Sequence, residues 1–295
     1  MEEDTTTQPM DGLSEEEQNL LDSVLNEVHE GTSDNESTNN NSNENPASSN
    51  NTVETIPENS PTLNIDNTSS RFSSADWYEE AQKYKITLAG LGGIGSWVNL
   101  LLSRIKPYYI ALYDDDAVEE VNLAGQLYSI KDTGKNKAAV CCDTAISYSQ
   151  YYSVITHRSN YSNNSPVEKV MICGFDNMYS RKMFFNRWKE VLSHFDPKEC
   201  LFIDGRMSAE TFQIFCIQGD DTYNINRYSK EFLFDDKEAD NEICSYKQTT
   251  FCASMIASYI TNLYVNFCAI KTGNYRPLPF YIEYDATTML LKCES

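Results

Sequence analysis

The sequence predicts an α/β fold: a mainly parallel sheet flanked by helices and preceded by a disordered acidic tail. Three observations predict it. From Trp77 onward, short apolar runs alternate with amphipathic stretches, the pattern of repeated strand–helix–strand units. A glycine cluster, Gly90-Leu91-Gly92-Gly93-Ile94-Gly95, stands between the first apolar run and the first amphipathic stretch, where a Rossmann-like fold turns from strand into helix. The charge is also divided unevenly. The first 70 residues hold sixteen Asp and Glu and no Lys or Arg, so a net charge of −21 over 295 residues falls to −5 over residues 71–295.

Within the tail, residues 31–70 are dominated by Asn, Ser, Thr and Glu, too poor in apolar side chains to offset the entropy of ordering. Before them, Ser14 and Glu17 have capping-box spacing, and Leu20, Leu21, Val24, Leu25 and Val28 form one stripe of a helix near 14–29. That stripe has no partner within the tail; a loosely docked helix and a helix lying in another protein's groove both fit it.

The folded part, 71–295, is read in order. Ile86 to Ala89 is a strand, Gly93 to Ile105 a helix, Tyr109 to Tyr113 a strand and Lys135 to Tyr148 a helix. Val154 to His157 and Val170 to Cys173 are strands, followed by a helix over Met178 to His194. Leu201 to Ile203 is a further strand, and Thr211 to Ile217 is one that can run antiparallel. Phe251 to Ile270 is a long helix and Pro279 to Leu291 a closing pair of strands.

The composition argues against several functions. A net charge of −21 disfavours a broad phosphate-binding surface for nucleic acid. The nine cysteines include no C-x-x-C pair, and the N-terminus lacks a signal-peptide pattern, so reduced thiols in a cytoplasmic protein are expected. No uninterrupted apolar stretch approaches the roughly 20 residues of a membrane span, so no membrane is expected. His29, His157 and His194 have no metal-ligand or triad spacing.

Gly90, Gly92, Gly93 and Gly95 let backbone approach a phosphate closely at a helix N-terminus, whose N–H groups favour an anion. The glycines alone leave NAD, FAD, ATP and plain helix–strand packing open. Asp114, Asp115 and Asp116 end the next strand, where an acid typically meets ribose hydroxyls. Asn122, Leu123 and Gln126 follow, then Gly134 and Lys137, and Asp176-Asn177 closes a later strand.

This ordered set resembles the ThiF/MoeB/HesA family, relatives of ubiquitin-activating enzymes. That family shows a glycine turn, D-x-D, N-L-x-R-Q, G-x-x-K and D-N, and the resemblance runs from about Arg71 to the C-terminus. Two departures stand out. Gly125 occupies the position of the family's arginine, and the zinc-binding C-x-x-C pairs of many bacterial members are missing. The runs Asn122 to Tyr128, Ile203-Asp204-Gly205-Arg206 and Cys244 to Thr250 look most like a ThiF-type subgroup common in tailed-phage genomes; a phage origin would place the protein in host cytoplasm.

The resemblance implies an ATP- and Mg2+-dependent adenylyltransferase that activates a carboxylate, such as the C-terminus of a small ubiquitin-like or sulfur-carrier protein. It assigns Asp176 to magnesium and Lys137 to the phosphates, and Asp114, Asp116, Asn122, Gln126 and Asn177 to the nucleotide. It also implies a homodimer in which Arg71 reaches the partner's nucleotide. Cys244, in Cys-Ser-x-Lys with Lys247 nearby, matches the place of a thioester cysteine, whereas Cys173, Cys216, Cys252 and Cys268 lie in apolar patterns and are expected in the core. Two alternatives stand beside this reading. A nucleotide-binding scaffold is favoured by Gly125, and an NAD or FAD oxidoreductase leaves Asn122, Gln126, Lys137 and Asp176 without a task.

Overall fold

In Lys85–Ala89 (β1) side chains point alternately to the two faces of a sheet, and Ile86, Leu88 and Ala89 are all buried, which requires cover on both faces. The computed structural model supplies that cover. It describes residues 65–234 and 248–295; the helix expected at 14–29, the rest of the tail to residue 64, and Cys244 with Lys247 lie outside the described residues.

After Tyr78–Ala81 (α1) and β1 come Gly93–Ile105 (α2), Tyr109–Tyr113 (β2), Lys137–Ser149 (α3), Val154–His157 (β3), Val170–Cys173 (β4) and Met178–Val191 (α4). Leu201–Ser208 (β5), Thr211–Gln218 (β6), Thr222–Arg227 (α5), Thr250–Lys271 (α6), Tyr281–Asp285 (β7) and Leu290–Glu294 (β8) complete the described chain. The eight strands form one sheet in the order β3-β2-β1-β4-β5-β6-β7-β8. β1 to β5 pair in parallel and β5 to β8 antiparallel. The α/β, Rossmann-like expectation therefore holds, with an antiparallel extension on one side.

One core lies between the sheet and α2, α3 and α6, joining Ile86, Leu88, Leu112 and Ile203 to Val98, Leu102, Ile256 and Ile260. The second joins Ala89, Met171, Phe202 and Phe215 to Phe184, Phe185 and Trp188 of α4 and to Tyr228. α6 has the length and composition of a membrane span, more apolar than the sequence reading allowed; here it is a core helix, with Ile256, Ala257, Ile260 and Tyr264 buried. Tyr264 also donates a hydrogen bond to the Ala81 carbonyl, tying α1 to this layer.

Two boundaries and one added element differ from expectation for identifiable reasons, and the helix expected over Met178 to His194 ends at Val191. Lys135 lies outside α3 because Asn136 is its N-cap, accepting from the Ala139 N–H at 3.2 Å. β5 continues five residues past Ile203, since Asp204 to Ser208 pair with Phe215 to Thr211 although four of these five are not apolar. α5 is a polar helix, capped by Asp221, that no apolar stripe announces.

At the C-terminal ends of β1 and β4 the backbone leaves no room for side chains. A Cβ on Gly95 would lie 2.0 Å from the Gly90 carbonyl oxygen, and one on Gly174 would lie 2.6 Å from the same atom. Gly90 itself has φ +83°, the left-handed region that glycine tolerates. Gly134 shares that conformation (φ +82°) with nothing within 4 Å. Gly95→Ala is therefore expected to cost about 3 kcal/mol through overpacking against backbone, and Gly134→Ala only about 1 kcal/mol through strain. Urea denaturation of the two variants checks the ranking; equal midpoints would refute it.

Candidate functional site

The loops after β1, β2, β4 and β5 open onto one cleft of about 1290 Å³, lined by Gly90, Gly92, Gly93, Asp114, Asp116, Gln126, Lys137, Asp176 and Asn177 among others. The sequence motifs thus converge in space although they span nearly 90 residues. Gly95 packs beneath the turn and does not line the cleft.

Asp114 holds the glycine turn in place. Its buried carboxylate accepts from the Leu91 N–H at 2.7 Å and from the Asp116 N–H at 2.9 Å. Burial pushes its pKa up, against the opposing pull of the Leu91 N–H and Lys137. Lys137, the first residue of α3, is buried and places Nζ 2.8 Å from Asp116 Oδ2, while its own N–H donates to the Asp116 carbonyl at 2.9 Å. Asn136 Nδ2 donates to the carbonyls of both Asp114 and Asp116. Asn136 and the Lys137 N–H thus tie the backbone of the acid loop to the start of α3. Asp115 accepts from Asn160 at 2.7 Å.

The Asn122–Tyr128 segment is stitched over the first turns of α2: Tyr128 donates to the Leu91 carbonyl at 2.6 Å, Trp97 Nε1 to Gly125 O at 3.1 Å, and the Leu127 N–H to Ser96 Oγ at 3.0 Å. Gln126 lies at the cleft wall and is buried, and among the described residues its inaccessible Oε1 has no hydrogen-bond partner. Asn122 does not line the cleft. Its Oδ1 accepts from the Glu119 N–H at 3.0 Å and closes a capping box.

Asp176 and Asn177 stand at the mouth. Asn177 caps α4, accepting from the Ser180 N–H at 2.8 Å, and donates to Asp176 at 3.3 Å. Asp176 is exposed. Asp114, Asp115 and Asp116 also lie close enough together to hold an ion, but their carboxylates already serve backbone N–H groups, Asn160 and Lys137. Asp176, exposed and accepting from Asn177 Nδ2 at 3.3 Å, offers the carboxylate oxygen that a hard dication takes.

Asp204 and Arg206, which the sequence reading gave no role, belong to a further buried cluster. Asp204, wholly buried on β5, pairs with Arg181 of α4 and with Arg206 Nε at 2.7 Å, and accepts from Tyr228 at 2.8 Å. Arg181 also donates to the Phe175 carbonyl beside Asp176, and Arg206 to the Phe232 carbonyl at 2.9 Å. One carboxylate between two guanidiniums gives this cluster a net positive charge, and Arg181 and Arg206 both line the cleft. The signal available in sequence was a lone Asp inside an apolar strand, where a charge persists only if paired.

Arg71 is exposed and lies away from the cleft lining. Cys173, Cys216, Cys252 and Cys268 are buried, and burial pushes each thiol up, as the core reading expects. The eight described cysteines are all unpaired.

Comparison with known proteins agrees with this geometry. The model of the ThiF family matches residues 66–293. No curated protein matches the chain. Among solved structures, Escherichia coli MccB crystallised with ATP is similar with a TM-score of 0.58 at 16% identity, covering 79% of this chain and 72% of that one. PaaA is similar with a TM-score of 0.60 at 17% identity, covering 97% and 83%. MccB in complex with N-formylated MccA gives 0.55 at 17%, covering 75% and 67%. At these identities the likeness shows the shared fold.

The Asp204 cluster generates a prediction with a sign. Burial alone would raise its pKa, but Arg181, Arg206 and Tyr228 outweigh that and hold it below the ordinary carboxylate value. A depressed folded-state pKa contributes stability that is present above the unfolded pKa of about 3.9 and lost as pH falls through the folded value. Asp204→Asn leaves two guanidiniums facing each other without an anion and is expected to cost about 3–5 kcal/mol at pH 7. It should also flatten the fall in stability below pH ~4. Urea titrations from pH 7 to pH 3 test both; a variant as stable as wild type at pH 7 would remove the cluster's structural role.

Proposed function

The chain belongs to the ThiF family, and from that membership and the cleft we propose that it is an ATP-dependent adenylyltransferase activating a carboxylate. The observation that carries the reading is the convergence of the glycine turn, Gln126, Lys137 and Asp176 on one cleft at the C-terminal ends of parallel strands. MccB, a structure of the same fold, has been crystallised with ATP and with the peptide MccA. A peptide or small-protein C-terminus is accordingly the substrate class we favour.

In this reading the N-terminal turn of α2 receives phosphate through backbone N–H groups, and Asp114 keeps that turn in shape. Lys137 exchanges Asp116 for phosphate oxygens, and Gln126 stands beside the nucleotide in the cleft wall. Asp176 would hold Mg2+, which supplies charge stabilisation on phosphate oxygens. The substrate carboxylate oxygen attacks the α-phosphorus, the bond to the bridging oxygen of the β-phosphate breaks, and pyrophosphate leaves with that electron pair. The residues contribute position and charge, the type of effect that dominates phosphoryl and nucleotidyl transfer. A thioester step at Cys244 would follow adenylation.

A second reading, a nucleotide-binding scaffold without turnover, is favoured by Gly125, which supplies no cation. ATP–pyrophosphate exchange with candidate carboxylates separates the two, because only the enzyme exchanges label.

Asp176→Ala is expected to abolish Mg2+-dependent pyrophosphate exchange while leaving the thermal midpoint within about 1–2 °C, because an exposed mouth residue with no core contact is removed. Undiminished exchange would sink the metal assignment. If Arg71 serves the partner's site in a homodimer, light scattering will give twice the chain mass, and mixing Arg71→Ala with Asp176→Ala subunits will restore one site of two in mixed dimers. Absence of rescue removes the cross-subunit role.

A further inference from the structure

Gly125 and Gln248 are 123 positions apart in the chain and form one feature in space. A Cβ on Gly125 would lie 3.0 Å from Gln248 Cβ and 3.1 Å from its Oε1; a Cβ on Gly93, the first residue of α2, would lie 2.7 Å from that same oxygen. The Gln248 carboxamide thus bridges the loop carrying Gln126 and the N-terminal turn of α2, and fills the space that a side chain at position 125 would need. Its backbone is pinned there: Gln248 bridges Ala209 at the end of β5, Thr249 Oγ1 donates to Ala209 O at 3.0 Å, and Thr250 Oγ1 donates to Ala124 O. Gln248 lines the cleft, and its carboxamide has no hydrogen-bond partner among the described residues.

The orientation has a physical reading. The carboxamide oxygen carries partial negative charge and lies close to Gly93, the first residue of α2, where the helix dipole is positive. Which carboxamide atom is oxygen is fixed only by such surroundings, so an anion arriving at the same place favours rotation that turns the NH2 group toward it. We propose that Gln248 reads the β- or γ-phosphate of a bound nucleoside triphosphate, donating from Nε2 as a neutral amide at the position a side chain from residue 125 would otherwise occupy. The absence of a cation at Gly125 is then a relocation of one phosphate contact to the start of α6, with a hydrogen bond in place of a charge.

This inference rests on the cleft's binding ATP, and its test is binding, which needs no carboxylate substrate. Titration calorimetry of the full chain with Mg2+·ATP and with AMP compares wild type, Gln248→Ala, Gly125→Arg and the double variant. Loss of one hydrogen bond to a charged group is expected to weaken ATP binding about tenfold or more in Gln248→Ala, with AMP binding unchanged because AMP lacks the phosphates read. Gly125→Arg should weaken ATP binding through collision with Gln248, and the double variant should recover wild-type affinity or exceed it. Gln248→Ala binding ATP like wild type overturns the proposal, and so does an equal loss for ATP and AMP, which would mark a structural role. A wild-type protein that binds no ATP at all would overturn the reading of the cleft itself.

Discussion

The structure depends on a contact of backbone with backbone: the carbonyl of Gly90 against Gly95 on one side and Gly174 on the other. β1 lies between β2 and β4, and the chain reverses its direction of travel across the sheet at this point. After β1 it rises into α2 on one face; after β4 it descends into α4 on the other. Two loops leaving adjacent strand ends for opposite faces create a crevice, the place where open α/β sheets bind ligands. The crevice stays narrow at its floor only because three residues lack side chains. Gly90 N–H still reaches the Tyr113 carbonyl and Gly174 N–H the Ala89 carbonyl, so pairing continues past the strands and the floor is rigid.

Upon that floor the charges are arranged to satisfy one another in the free chain. Lys137 has Asp116, Asp115 has Asn160, and Asp204 has Arg181 and Arg206. A ligand at this site therefore gains only the difference between new and old partners. For Lys137 the existing partner holds weakly, because the Asp116 side chain is 65% exposed and hydrated. Asp204 differs, being wholly buried, and its arginines will not leave it. Lys137 is therefore the less tightly paired cation, while Arg181 and Arg206 are fixed parts of the wall.

These differences explain what was legible in the sequence. β1 to β4 were readable because each is an apolar run ended by Gly, Asp or a short loop, and the glycine turn, Asp114, Lys137 and Asp176 came together as their order implied. β5 was half legible: Asp204 looks like the end of a strand until Arg181 and Arg206, one of them 23 residues away, are known to neutralise it. Asn122 was assigned to the nucleotide, and spacing cannot separate a ligand-binding asparagine from one whose oxygen closes a turn. Gln248 carried no local sign, because its meaning lies in contacts with Gly93 and Gly125 made only after folding.

The antiparallel extension gives the cleft its second half. Arg206 on β5, Gln213 on β6, Glu283 on β7 and Lys292 on β8 stand directly opposite one another, a row across four strands on one face. Glu283 is joined to Lys292 at 2.9 Å and to Gln213 at 3.4 Å, and all four line the cleft. The next row, Ser208, Thr211, Asp285 and Leu290, lines it as well. On the same face Phe215 and Tyr281 pack against Phe232, and Phe215 against Tyr228 as well, in a row whose ends are Asp204 and Glu294, whereas these two rows are polar apart from Leu290. The change follows from cover: a covered sheet face is apolar except where a charge is paired, as Asp204 is with Arg181 and Arg206, and a face left open can carry charge without such pairing. The nucleotide motifs occupy the parallel half of the cleft, so the polar rows of β5 to β8 form a separate wall, continuous with the first through Arg206.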